Sequence, residues 1–163
     1  MKTVCQTELY AQPIEKVFDC LDSLGITGAH MTQSSAMMMG SKLKLAFLTE
    51  NHTGLGCIYR WSGKMMGLKM DFVVEVTKWV QNKEKTWETI GEPKLIIYAG
   101  YRMNLLVMQV KNGTQADLSI SYESPKRFFN KILCFLFADS YCRWCLNKML
   151  GDAGKALVVL ETG

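Results

Sequence analysis

The stretch GTQADLSISYESPKRFFNKILCFLFADSYCRWCLNKML, Gly113 to Leu150, changes its hydrophobic period partway along. Up to Tyr122 it alternates, with Ala116, Leu118, Ile120 and Tyr122 against Gln115, Asp117, Ser119 and Ser121. A period of two marks a strand with one face buried. After Ser124 and Pro125 the period lengthens. Phe129, Ile132, Leu133 and Leu136 lead into Cys142, Cys145, Leu146, Met149 and Ala153 at helical spacing. Ser124 suits an N-cap and Pro125 a first helical turn. The pattern predicts a helix reaching about Leu160, near 35 residues and roughly 50 Å at 1.5 Å per residue. Gly151 and Gly154 are expected to bend or weaken it. A half-wet strand running into so long a helix points to the α+β class.

Upstream, strand signals repeat. KNGT, from Lys111, is a hairpin turn, because Asn-Gly tolerates the positive φ such turns need. Before it, IIYAGYRMNLLVMQV predicts a long strand with Tyr101, Met103, Leu105 and Val107 opposite Arg102 and Asn104. TWETIG predicts a short strand after the charged turn QNKEK. GLKMDFVVEVTKW has the cleanest alternation, with Leu68, Met70, Phe72, Val74 and Val76 on one face. LGCIYRWSG places Cys57, Tyr59 and Trp61 together, and SKLKLAFLTE places Leu43, Leu45 and Phe47 together. At the start, KTVCQTELYA alternates as a strand, and PIEKVFDCLDSLG carries Ile14, Val17, Phe18 and Leu21 at helical spacing. ITGAHMTQSSAMMMG predicts a second short helix and a loop. Sequential strands with short turns pair with their neighbours in sequence. A curled antiparallel sheet of six to seven strands follows, and the terminal helix is the only element long enough to cover it.

Composition narrows the function. With 163 residues and 48% hydrophobic content, the chain is expected to form one domain over 1–163 with a real core. A net charge of +4, spread along the chain, is too mild for a nucleic-acid partner. The longest uncharged apolar run, ILCFLFA (Ile132 to Ala138), is far short of the ~20 residues a membrane span needs, so no stable insertion is expected. That run is apolar on all faces, and a homodimer contact, a packed loop or a hydrophobic partner would cover its outer side. The opening MKTVCQTELY lacks a signal-peptide pattern. The expectation is a soluble cytoplasmic protein with six reduced cysteines.

In order and residues the chain resembles the helix-grip superfamily. This group joins START lipid-transfer domains, polyketide cyclases and aromatases, birch-pollen-allergen-like proteins and Hsp90-activator-like domains, collectively SRPBCC. ELYAQPIEKVFDCLDS, TGLGCIYRWSGKMMGLKMDFVVEV, GYRMNLLV, GTQADLSISYESP and FADSYCRWCLNKML carry the likeness across nearly the whole chain. The resemblance implies two short helices after the first strand, a curved sheet gripping the long helix, and a cavity between them. It implies a binder or carrier of a small hydrophobic molecule such as a lipid, polyketide or isoprenoid. A cyclase or dehydratase using the same cavity is the alternative, and an Hsp90-activator-like interaction module is the second. Fold alone does not choose among them.

Given a cavity, the inward strand residues Tyr59, Trp61, Met70, Phe72, Trp87, Tyr101, Met103, Leu118 and Ile120 are its candidate lining. Phe129, Leu133, Leu136 and Tyr141 would join them from the helix, with Asp139 orienting a ligand hydroxyl or carbonyl or else pairing with a nearby Lys, Arg or Tyr. Eleven methionines, clustered in HMTQSSAMMM and KMMGLKM, supply soft packing, and Met37–Met39 and Met65–Met66 are expected to form an exposed rim. No catalytic residue stands out. His30 and His52 fall in predicted loops without a nucleophile beside them. Cys142 and Cys145 form a CxxC inside a helix, away from the helix start that would activate a redox thiol, and no second pair completes a metal site. No cofactor is expected.

Overall fold

In the computed structural model, which describes residues 1–33, 42–65 and 67–163, the first strand and the last are neighbours. β1 (Lys2–Tyr10) lies antiparallel to β7 (Gly113–Glu123). Between them run β2 (Leu43–Phe47), β3 (Ile58–Met65), β4 (Leu68–Val80), β5 (Glu84–Lys94) and β6 (Gly100–Val110). The sheet order is β1-β7-β6-β5-β4-β3-β2, so every pair but β1–β7 joins sequence neighbours. Short hairpins allow this, and the longer return from β1 to β2 carries the helices α1 (Ile14–Asp22), α2 (Leu24–Thr27) and α3 (Ala29–Thr32).

Alternation sets the faces. On β7, Thr114, Ala116, Leu118, Ile120 and Tyr122 are buried and the residues between them are not. On β4 the buried set is Met70, Phe72, Val74 and Val76. Register shifts between β4 and β5, at Asp71/Val73 and Val76/Lys78, add local twist and help curl the sheet.

Into the curl fits α4 (Phe128–Thr162), 35 residues long. Its inward face is built from Cys134, Ala138, Tyr141, Cys142, Cys145, Leu146, Met149, Ala153 and Leu157. Small side chains dominate its first half because they let the helix backbone approach the sheet closely. The helix runs unbroken through Gly151 and Gly154, where Tyr10 Oη donates to the Leu150 carbonyl at 2.7 Å. This is the helix-grip architecture expected from the sequence.

Several local expectations are corrected. The N-cap of α4 is Arg127, not Ser124, and it makes no side-chain cap bond. Pro125 lies in the connection before the helix. β6 begins at Gly100, and Ile96–Ala99 form a connection instead of strand. β5 is longer than TWETIG because its ladder with β4 continues past the bulge to Lys94. Two short helices, not one, follow α1. Leu68 is exposed at the hairpin tip, where the sheet no longer covers it. Met65 is a buried strand residue opposite Leu68, not a rim residue, because the β3–β4 hairpin is tighter than expected. Met37–Met39 and Met66 lie outside the described residues.

Candidate functional site

A cavity of about 60 Å³ lies between the inner sheet face, α2–α3 and the middle of α4. β3 and β4 supply Tyr59, Trp61, Met70 and Phe72, while β5, β6 and β7 supply Lys85, Trp87, Tyr101, Met103 and Ile120. Leu95 and Tyr98 come from the β5–β6 corner, and Tyr141, Cys145 and Met149 from α4. Leu24, Thr27, Gly28, His30 and Met31 close it from α2–α3. The helix junction passes directly over Trp61. A Cβ on Gly28 would sit 2.9 Å from Trp61 Cη2 and 2.6 Å from the Leu24 carbonyl oxygen, so only glycine fits.

Nine of the fourteen residues expected at the site line this cavity: Tyr59, Trp61, Met70, Phe72, Trp87, Tyr101, Met103, Ile120 and Tyr141. The other five lie elsewhere. Leu118 is buried in the core beside it, and Leu133 only packs against the core. Phe129 and Leu136 face solvent, because the inward face of α4 is the Cys134/Ala138/Tyr141 side of the helix. Asp139 accepts from Tyr122 Oη at 2.5 Å and ion-pairs with Lys2 Nζ at 2.5 Å. Those partners hold its carboxyl below the usual range, and the three residues clasp β1, β7 and α4 together.

Two polar groups of the wall were missed by sequence reasoning. Lys85 is buried, with 4% of its side chain exposed, and its Nζ lies 2.6 Å from Asp22 Oδ1, itself 8% exposed. The ammonium also donates to the Asp22 carbonyl at 3.1 Å and sits 5.1 Å above the Trp87 ring. Trp79 Nε1 donates to Asp22 Oδ2 at 3.0 Å. Oδ1 makes no hydrogen bond of good angle, so its tie to Lys85 is Coulombic. The available signal was register: Lys85 and Trp87 are two apart on one strand and share its inner face.

His30 is the second. It sits in α3, buried, with its ring edge-on to Trp144 at 5.5 Å. Burial lowers its pKa to about 4, so it is neutral near pH 7. Nδ1 lies 2.9 Å from the Thr27 carbonyl. A carbonyl only accepts, so Nδ1 carries the proton and Nε2 is left as an acceptor. Nothing in the unpatterned stretch around His30 marked it as inward.

The rest of the wall is neutral. Tyr98 touches the rings of Tyr101, Tyr122 and Tyr141 at centroid distances of 5.9, 5.7 and 6.5 Å. Burial pushes the phenols of Tyr59, Tyr98, Tyr101 and Tyr141 upward, so all stay protonated. Burial also raises the Cys145 thiol, and it raises Cys142 to about 12. Neither is a thiolate, the opposite of what redox or metal-binding cysteines require. No cluster of metal-ligating side chains occurs among the described residues.

No protein-family model and no curated protein matches the chain. Solved structures do. TTHA0849 from Thermus thermophilus superposes with a TM-score of 0.72 at 16% identity, over 98% of this chain and 99% of that one. The Zhui aromatase/cyclase from Streptomyces gives 0.68 at 12% identity, over 96% and 95%. Ara h 8.0201 gives 0.61 at 10% identity, over 93% and 97%. Likenesses at such low identity establish the fold, and the fold is the helix grip.

Proposed function

We propose that the chain binds a small, mostly apolar molecule between sheet and helix, its polar end turned toward Lys85 and His30. The observation that carries this is the composition of the wall: aromatic rings and methionines, broken by one ammonium, one neutral imidazole and the Thr27 hydroxyl. A few polar groups in an apolar enclosure orient a ligand, while apolar burial holds it at about 25 cal/mol per Å² before ordering costs.

The volume limits the ligand. About 60 Å³ is well below the ~300 Å³ at which ordinary ligand pockets begin. A larger guest requires the walls to move, and Met31, Met70, Met103 and Met149 are the side chains able to do so, being unbranched and flexible. Organic extraction of the purified protein followed by mass spectrometry tests the reading directly. A bound apolar compound that is lost in Met70→Trp, with the fold retained, supports it. An empty protein that fails to quench Trp61 and Trp87 fluorescence with any of a panel of lipids, isoprenoids and aromatic polyketides sinks it.

A second reading, a cyclase- or dehydratase-like enzyme, has a specific observation in its favour. His30 Nε2 is an unprotonated acceptor in the cavity wall, and proton abstraction next to a carbonyl needs such a base. Lys85 would stabilise the enolate that forms. Cyclisation of a reduced or unreduced poly-β-ketone that disappears in His30→Gln, while ligand binding persists, distinguishes this reading from simple carriage.

A further inference from the structure

We propose that the N-terminal end of α4 and the tip of the β3–β4 hairpin together form a face that docks onto anionic phospholipid membranes. The apolar part is a helix stripe. Phe128, Phe129, Ile132, Phe135 and Leu136 follow the i, i+1, i+4, i+7, i+8 spacing of one helix face, opposite the buried Cys134 and Ala138. All five are exposed, Phe135 at 89% and Phe128 at 79%. Single exposed apolar residues are ordinary, but a contiguous apolar stripe marks an interaction surface.

Charge selects the occupant. An open groove of about 660 Å³ runs beside the stripe, where Phe129 and Arg127 meet Leu68, Lys69 and Lys94. Segments 64–69, 92–95 and 123–131 carry six basic residues, Lys64, Lys69, Lys94, Lys126, Arg127 and Lys131, against two acidic ones, Glu92 and Glu123. None of the six forms an ion pair among the described residues. The nearby Asp71 is already held by Arg60. Lys64 and Lys69 stand directly opposite each other across the hairpin, a like-charge pairing that an anionic surface relieves. A second copy of the chain would bring the same cations face to face. An anionic bilayer satisfies both halves of the patch, with headgroups for the cations and the acyl boundary for the phenylalanines. No helix among the described residues is long and apolar enough to cross a membrane. Leu95 lines both this groove and the interior cavity, but docking does not depend on an interior ligand.

Flotation of the full chain with vesicles of phosphatidylcholine alone, or mixed with phosphatidylglycerol, is the test. Binding should favour the anionic vesicles at least tenfold, fall as NaCl is raised, and weaken on the order of tenfold in Phe135→Ser and in Phe128→Ser. Both substitutions sit on exposed positions and should leave the thermal melt unchanged. Lys64→Gln combined with Lys69→Gln should flatten the salt dependence. Absent binding, equal binding to neutral vesicles, or binding indifferent to both Phe substitutions overturns the proposal. So does a dimer in sedimentation that Phe135→Ser dissolves while vesicles recruit nothing, for the face is then covered by a second copy.

Discussion

Lys85 and Asp22 meet 2.6 Å apart inside the protein, an ion pair joining β5 to the end of α1. Removing one partner strands the other charge away from water. Asp22→Asn or Lys85→Met alone should each cost about 3 kcal/mol in urea denaturation. The double variant should cost clearly less than the sum, since no charge is then left unpaired. Additive losses would mean the two groups are not coupled.

His30 makes stability depend on pH. Its folded pKa of about 4 lies below the ordinary 6.5, so between these values the unfolded chain binds a proton that the native chain refuses. Its contribution is fully present above pH 6.5 and is lost as pH falls toward 4. The shift corresponds to about 3 kcal/mol. Denaturation of the wild type and of His30→Gln at pH 7.5 and pH 4.5 isolates this group from the carboxylates. The pH-dependent loss should be smaller in the variant by roughly that amount, and equal losses would contradict the buried neutral imidazole.

Thiol chemistry offers a count. Only Cys5 is exposed among the six cysteines. An aromatic disulfide reagent should label one thiol quickly in the native protein and all six after unfolding. Rapid native labelling of Cys142 or Cys145 would show that α4 leaves the sheet far more readily than its packing implies.

Ala138 has no exposed surface, and it faces the sheet where α4 lies close. Ala138→Leu should cost about 1–3 kcal/mol through overpacking, whereas Ser140→Leu, on the outer face, should cost little. A tolerated leucine at 138 would place the helix farther from the sheet than it is here.

Much of the fold was legible because alternation reports burial directly. Phe72, Val74 and Val76 on β4, and Leu118 and Ile120 on β7, show the same inner face in sequence and in structure. The strand part of the cavity wall followed from this, since a strand has only two faces. A helix offers a continuous range of faces. Spacing proved α4 helical, but the largest apolar residues, Phe129 and Leu136, drew attention to the wrong side. The side that meets the sheet is marked by small residues, Cys134, Ala138 and Cys142, because closeness and not bulk decides that contact. Lys85 was hidden in a charged run that reads as a turn, and His30 in a stretch with no period. Both are polar residues buried against their type, which is why pattern alone passed over them.

The pairing of β1 with β7 has a consequence for how the chain assembles. Lys2 bonds opposite Tyr122 and Tyr10 opposite Thr114, partners more than a hundred residues apart. At roughly 5–20 residues per second of synthesis, β1 exists for about 6–24 s before its neighbour has been made. The β2–β7 meander, built from adjacent hairpins, can form first, and β1 joins it last at the highest loop-closure cost. During that wait β1 is an unpaired edge. Of its nine residues only Val4 and Tyr10 end up buried, and Lys2, Thr3, Gln6, Thr7 and Glu8 make most of the remainder polar, with Leu9 exposed among them. A strand that carries Lys2 and Glu8 among its exposed side chains is less suited to pairing with the wrong chain while it waits for the right one.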